Sequence, residues 1–360
     1  MVRIVHSQTK QSLYTLGSFD FGPSQTNITF LPRIRAATDL VSFQSIDQKL
    51  NFNTIDEQLI INSDNLAEVT STPFKLYNAK IDDSVLFSVF QICYPKLDDL
   101  TLEYESIKKQ WTLIFPKQLE KQQQLQKAIK LIESDILSNK YFEGNKKLQK
   151  TALNVLLTYS IYNNDGAFYY HNELEFLIPL LDAYVKQYGN DYDPSKCETE
   201  LFNIYDSFYK FGKFDEYKNL KKQRFIKPML VDLGSQLKNN FSEMVHFLQQ
   251  RNIISLDFFI SQIRNWFVEA FDLESIQRLW ISIPHLENSF SQSSESSSPS
   301  LEKFFACFVT AILYLTEKEM IDIYPICENE FVEFFQNVLK KVDMNKLLCY
   351  AKRIYGFYFK

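Results

Sequence analysis

From Leu97 to Ser138 apolar side chains recur mostly at helical steps: Leu100, Leu102, Ile107, Trp111, Ile114, Leu119, Leu125, Ile129, Ile132 and Leu137. Spacings of three and four put such residues on one stripe of a helix, so this segment predicts two helices, broken near Pro116, whose ring removes a backbone donor. Leu148 to Ser160 and Leu174 to Gln187 predict two more, joined through Asn163-Asn-Asp-Gly166, which carries turn chemistry. Pro179 lies inside the second of these and predicts a kink or a fresh start there. Further helix is expected over Thr199 to Phe211, Phe214 to Leu248, Leu301 to Thr316 and Phe331 to Leu348, with Gly189, Pro194 and Gly212 as punctuation. Ile253 to Phe271 is apolar and aromatic enough to predict a single buried helix. Before Leu40 the pattern is different: Gly17, Gly22, Pro23 and Pro32 interrupt β-prone pieces such as Asn27 to Leu31, and no helical period is present. Ser289 to Ser300 contains eight serines and Pro299, too polar to pack, and predicts a flexible loop.

Composition supports an all-α chain. With 360 residues, 45% hydrophobic and 15% aromatic, it can bury a large core as one big domain or two lobes. Only 8 glycines and 11 prolines argue against an all-β sandwich or a glycine-rich phosphate-binding enzyme. A net charge of -5 provides no large uniform field for nucleic acid or an anionic membrane. Five cysteines lie far apart without a Cys-x-x-Cys pair, which argues for a reducing compartment and against a zinc knuckle or disulfide framework. No run approaches the roughly 18 apolar residues of a membrane-spanning helix. The expectation is a cytoplasmic protein without direct membrane insertion, whose membrane contact comes through a partner.

Two short stretches carry a family resemblance. The first reads Ile132-Glu-Ser-Asp135-Ile-Leu-Ser138-Asn139; the second runs Tyr169-Tyr170-His171-Asn172-Glu173 into Glu175-Phe-Leu-Ile-Pro179-Leu-Leu181. They resemble the Ile-x-x-Asp-x-x-Arg-Thr motif, and the Tyr-x-Gln-Gly-Met loop leading into Leu-Leu-x-Pro-Leu-Leu, of TBC domains, which activate Rab GTPases. Ile81-Asp82 with Val89-Phe90, Lys140-Tyr-Phe-Glu-Gly144 and Asp272 to Trp280 are similar to further TBC segments, so the match covers roughly Val41 to Lys360. The resemblance implies a two-lobed helical fold: a short irregular arm at 1–40, an N-terminal lobe at 41–225 and a C-terminal lobe at 226–360 containing the loop at 289–300. Pro179, Arg278 and Trp280 would be its fold anchors.

The same resemblance implies what is lost. A TBC domain delivers an arginine to the phosphates and a glutamine to the attacking water, and the arginine alone contributes about 10³ to 10⁵ in rate. Here the arginine position holds Ser138 and the glutamine position His171; anchoring instead on Tyr159 and Tyr162 puts Tyr170 there, again not a glutamine. No arginine occurs between Ala36 and Gln223. Lys140 is the nearest cation, but a point charge lacks the guanidinium fork. His171 presents one donor and one acceptor in a different geometry from an amide. Two further TBC arginines, in a Phe-Arg-Trp-Leu-Leu run and before a Val-Trp pair, fall on Ile260 to Arg264 and near Leu86 or Phe87.

Other chemistry is weaker. Glu173 and Glu175 could suggest an acid/base pair, yet neighbouring glutamates are ordinarily solvated and no nucleophile accompanies them. Four histidines (His6, His171, His246, His285) show no metal spacing, and no cofactor is expected. The leading expectation is a Rab-binding regulator or adaptor in membrane traffic without catalytic activity, touching its GTPase through Asp135, Lys140, Tyr169, Tyr170, His171, Asn172 and Glu175. An active GTPase activator using Lys140 and His171, and a structural subunit of a larger complex, remain as alternatives.

Overall fold

The structure, a computed structural model, describes residues 58–71, 73–96, 100–164, 169, 173–212, 214, 262–285, 301–321 and 328–358. The N-terminal arm, the helix expected over Phe214 to Leu248 beyond its first residue, the serine-rich loop and the expected lobe boundary at 225 lie outside the described residues.

The described chain is all-α apart from one minimal strand pair. Strands β1 (Ile60–Ile61) and β2 (Lys80–Ile81) run parallel, with Ile60 opposite Lys80 and Ile61 opposite Ile81. Two bonds, Lys80 N–H to the Leu59 carbonyl and Asp82 N–H to that of Ile61, both 2.8 Å, tie the chain before helix α1 (Leu66–Ser71) to the turn before α2 (Leu86–Cys93). Strands of two residues leave no alternating period, so the hydrophobic pattern does not reveal them.

Next come α3 (Thr101–Lys109) and the 20-residue α4 (Leu119–Ser138). The break falls where Pro116 predicts it, through a π turn at Gln110–Ile114 and a 3₁₀ turn at Phe115–Lys117, whose first positions require no donor. Helices α5 (Lys146–Asn164), α6 (Glu173–Tyr188) and α7 (Pro194–Phe211) then pack on one another, α5 and α6 also on α4 and α7 on α3. Asp193 caps α7 by accepting from Ser195 N–H at 3.1 Å, one residue before Pro194. Helix α6 passes Pro179 as one element rather than starting afresh. The bond that proline cannot donate is offset by burial of Leu177, Leu180 and Leu181, and the Pro179 carbonyl accepts from Gln277 Nε2 at 2.9 Å. Gly189, at φ +79°, ends the helix in the left-handed conformation, where any side chain would be strained.

Two expected helices are shorter than the apolar pattern suggests. Within Ile253 to Phe271 the described part is helical only to Arg264 and then turns over residues 265–270, with Trp266 (φ 46°) and Phe267 (φ 60°) both left-handed. Each such aromatic costs about 1–2 kcal/mol. Full burial of both side chains offsets the cost, and the Phe267 N–H reaches back to the Gln262 carbonyl at 2.7 Å. Phe331 to Leu348 is likewise two helices, α10 (Glu328–Leu339) and α11 (Met344–Tyr358), because the Asp343 carboxylate caps a new start by accepting from Asn345 N–H at 2.8 Å. Between these regions lie α8 (Leu273–Ser282), capped by Asp272 through Ser275 N–H at 2.9 Å, and α9 (Leu301–Ile321), which packs along α11.

Aromatic rings form the centre of the core. Trp280 is fully buried, 4.4 Å from the Phe208 ring and 6.1 Å from Phe176, so α8 is seated directly on α6 and α7.

Candidate functional site

The last turn of α4, the 3₁₀ turn after it and the first turn of α6 meet at one surface. Ile132 and Ile136 on α4 are buried against the core, which sets the rotation of the helix and turns Asp135 and Ser138 outward to different degrees. Asp135 is half-buried and Ser138 exposed. The Ser138 hydroxyl donates to the Asp135 carbonyl at 2.9 Å, so it bonds back onto its own helix. Such a bond satisfies a carbonyl that the helix end would leave open.

Asn139 then closes the corner. Its Oδ1 accepts from Tyr141 N–H at 3.0 Å, capping the 3₁₀ turn at Lys140–Phe142, while its Nδ2 donates to Glu175 Oε1 on α6 at 3.3 Å. Phe142 beneath is fully buried, and Lys140 stands exposed on the turn. Tyr169 lies half-buried with its hydroxyl against the Asp135 carboxylate, and burial followed by that negative neighbour pushes the phenol well above its ordinary pKa. Tyr170, His171 and Asn172 lie outside the described residues.

Carboxylates dominate the rest of this surface. Glu173 is buried, contrary to the solvated glutamate that sequence reasoning expects, because the first turn of α6 is covered by α7: the Tyr205 hydroxyl donates to its carbonyl at 3.1 Å. Glu175 is half-buried; burial raises its pKa first, repulsion from Glu269 and Asp135 adds to this, and the Asn139 bond opposes it. Glu269 is exposed at the edge of this surface, and partial desolvation of its carboxyl raises its pKa as well. The structure thus brings Asp135, Tyr169, Glu175 and Asn139 together and leaves Ser138 and Lys140 at the rim. Asn139 and Glu269 were not singled out by sequence reasoning: the first could have been found as an Asx cap two residues ahead of Tyr141, whereas the second arrives from a distant segment.

No family model matches the chain. It is 25% identical over 264 residues to TBC1 domain family member 17 of Homo sapiens, covering 71% of this chain and 36% of that protein's length. The crystal structure of the Ypt/Rab-GAP domain of Gyp1p superimposes on it with a TM-score of 0.62 at 15% identity, covering 88% of this chain and 99% of that one. The chain has the all-α fold of that Rab-GAP domain. It spans about a third of the length of its curated relative.

Two of the residues expected as fold anchors join distant segments. Arg278 on α8 donates through one guanidinium nitrogen to Asn78 Oδ1 and to Asn345 Oδ1, the latter at 3.1 Å, linking the turn before β2 to the start of α11. Asn78 completes the knot: it is left-handed at φ 57°, its N–H donates to Ser282 Oγ at 3.0 Å, and its Nδ2 donates to Asn345 Oδ1 at 2.6 Å. Burial lowers the Arg278 pKa, though the ordinary value is high enough to leave it cationic at neutral pH. Pro179 supplies the carbonyl to which Gln277 of α8 donates.

Among the described residues no group of three or more His, Cys, Asp or Glu side chains is arranged to hold a metal. His285 is buried with Nε2 3.2 Å from Cys93 Sγ; burial pushes the imidazole down to about 4 and the thiol up, so both are held neutral. No described helix is long and apolar enough to cross a membrane.

The Glu175 environment gives a testable pH dependence. Its folded pKa is raised above the unfolded value, so Glu175 opposes folding when ionised and the penalty fades as pH falls through the folded pKa. Glu175→Gln keeps an acceptor for Asn139 and removes the charge. It is expected to stabilise the domain at pH 7 by about 0.5 kcal/mol, the scale of a solvent-screened charge pair. In urea titrations the gain should shrink as pH falls toward 4; a gain independent of pH would rule out the half-buried charge as its cause.

Proposed function

We propose that this TBC domain binds a Rab-type small GTPase without accelerating GTP hydrolysis, acting as a regulator or adaptor in membrane traffic. The contact surface in this reading is the end of α4 and the approach to α6: Asp135, Lys140, Tyr169, Tyr170, His171, Asn172 and Glu175. What carries the reading is Ser138. At the position where the family's arginine is expected stands an uncharged hydroxyl bonded back to the Asp135 carbonyl, unable to neutralise charge on a transferring phosphoryl group.

The surroundings support the same conclusion. Asp135, Glu175 and Glu269 bring negative charge to this surface, which disfavours close approach of phosphates and favours a basic patch on a partner protein. Lys140 is exposed but carries no guanidinium fork. Similarity to the Rab-GAP domain of Gyp1p motivates the choice of GTPase class. In this reading affinity, not turnover, is the output, and any membrane association is peripheral.

A panel of purified Rab GTPases, tested in parallel for binding in the GTP state and for single-turnover hydrolysis, checks the proposal. Binding without acceleration is the expected result, and Tyr169→Ala should weaken it about tenfold, as loss of an aromatic contact does. Acceleration of roughly tenfold or more, about 1.4 kcal/mol of barrier, would establish an active GTPase activator instead. No binding across the panel would assign the domain to a structural role.

A further inference from the structure

The opposite end of α4 presents different chemistry. At the tip between α3 and α4, Trp111 and Phe115 turn inward: Trp111 Nε1 donates to Thr158 Oγ1 of α5 at 3.1 Å and Phe115 is buried. These two anchors fix the π turn and the 3₁₀ turn, and the residues between and after them are forced outward. Leu113 is 62% exposed, Ile114 48% and Leu119 74%. Three large aliphatic side chains thus stand in solvent at one projecting corner, held there by a built turn.

The charges around this corner have one predominant sign. Lys109, Lys117 and Lys121 are exposed beside the aliphatic residues, with Glu120 the acidic residue among them; Lys108 points inward to Glu198. Lys121 Nζ lies 4.7 Å from the Phe115 ring, which keeps its cation beside the apolar tip. A locally basic, apolar corner on a chain of net charge -5 is the arrangement that an anionic lipid surface accepts: aliphatic side chains enter the headgroup boundary while lysines meet the phosphates. A partner protein's hydrophobic groove would satisfy the leucines, but it would gain less from the surrounding lysines unless its rim were acidic.

We propose that the α3–α4 tip is a shallow membrane-contact site that inserts Leu113, Ile114 and Leu119 into the interface of an anionic bilayer. This departs from the sequence-based expectation that membrane contact comes only through a partner, and it is independent of the GTPase reading. Helix α4, about 30 Å long for its 20 residues, would hold the Asp135 to Asn139 surface away from the lipid as a rigid spacer.

The test is co-sedimentation of the full chain with vesicles of phosphatidylcholine alone and with about a third phosphatidylserine. Binding should be at least about tenfold stronger to the anionic vesicles and should weaken at raised salt. Combined Leu113→Ser, Ile114→Ser and Leu119→Ser should reduce it about tenfold or more, as should combined Lys109→Glu, Lys117→Glu and Lys121→Glu. All six positions are exposed or nearly so, and an unchanged near-UV circular dichroism spectrum confirms that each variant keeps its fold. Equal binding by wild type and the serine variant would overturn the proposal, as would no binding to either vesicle. Concentration-dependent self-association abolished by the serine variant, without vesicle binding, would make the tip a protein-docking surface and also overturn it.

Discussion

Replacing Trp280 with alanine is expected to cost the domain about 3–5 kcal/mol, a large part of the roughly 5–15 kcal/mol that holds a natural domain folded. The indole is fully buried between Phe176 and Phe208, so its removal leaves a cavity at the junction of α6, α7 and α8 that surrounding rings cannot readily fill. It has a second task. Trp280 Nε1 donates to the Trp266 carbonyl at 3.1 Å, and Trp266 is one of two consecutive aromatics in the left-handed conformation. The Trp280 carbonyl also accepts from the Tyr94 hydroxyl at 2.6 Å, tying α8 to the end of α2. Urea unfolding should show a lower midpoint with an unchanged slope. Trp280→Phe retains most of the volume and loses the donor, so about 1–3 kcal/mol is expected from the carbonyl left without it. A loss below about 1 kcal/mol in the alanine variant would mean that α8 is not seated as described.

Glu198→Ala is the second large effect, and here the cause is polar. Glu198 on α7 is buried and accepts from three directions: the Tyr104 hydroxyl at 2.7 Å, Asn154 Nδ2 at 2.7 Å, and Lys108 Nζ. These partners come from α3 and α5, so one carboxylate joins three helices. Alanine would leave a half-buried ammonium, a hydroxyl and an amide without their acceptor, which costs about 3–5 kcal/mol for a broken buried pair. Glu198→Gln keeps one acceptor oxygen and loses the charge facing Lys108, so a smaller cost of about 1–3 kcal/mol is expected. Thermal unfolding of the two variants beside wild type checks the order; equal losses would show that packing, not the bonds, accounts for Glu198.

These sites differ in how legible they were. Trp280 and Arg278 could be singled out because Asp272 to Trp280 resembles a TBC segment; in the fold both contact distant parts of the chain. Glu198 gave no signal: a glutamate at an apolar step of α7 looks like any other until α3 and α5 close over it. At the candidate site, Asp135, Tyr169 and Glu175 were named from motifs separated by more than thirty residues, and the fold does bring them together. Asn139 was passed over because its role is to bridge α4 and α6, a relation between elements and not a pattern within one.

The apolar period by itself determined that this chain is helical, where α3 gives way to α4, and that α6 and α7 are separate helices. Those features follow from local physics: side chains at steps of three and four share a face, and proline or glycine interrupts the ladder. Local physics also left one place open and misjudged two. Of the kink or fresh start that Pro179 allows, the fresh start is not taken, because burial of Leu177, Leu180 and Leu181 offsets the lost backbone bond. The aromatic run ending at Phe271 did not stay helical, because burying Trp266 and Phe267 offsets two strained residues, and Phe331 to Leu348 divided at the Asp343 cap. The tertiary structure alone decided that Glu173 is buried, that Glu175 faces Glu269, and that Leu113, Ile114 and Leu119 are left in solvent. Each depends on which helix covers which, and burial and electrostatic coupling are properties of neighbours that a linear pattern does not name.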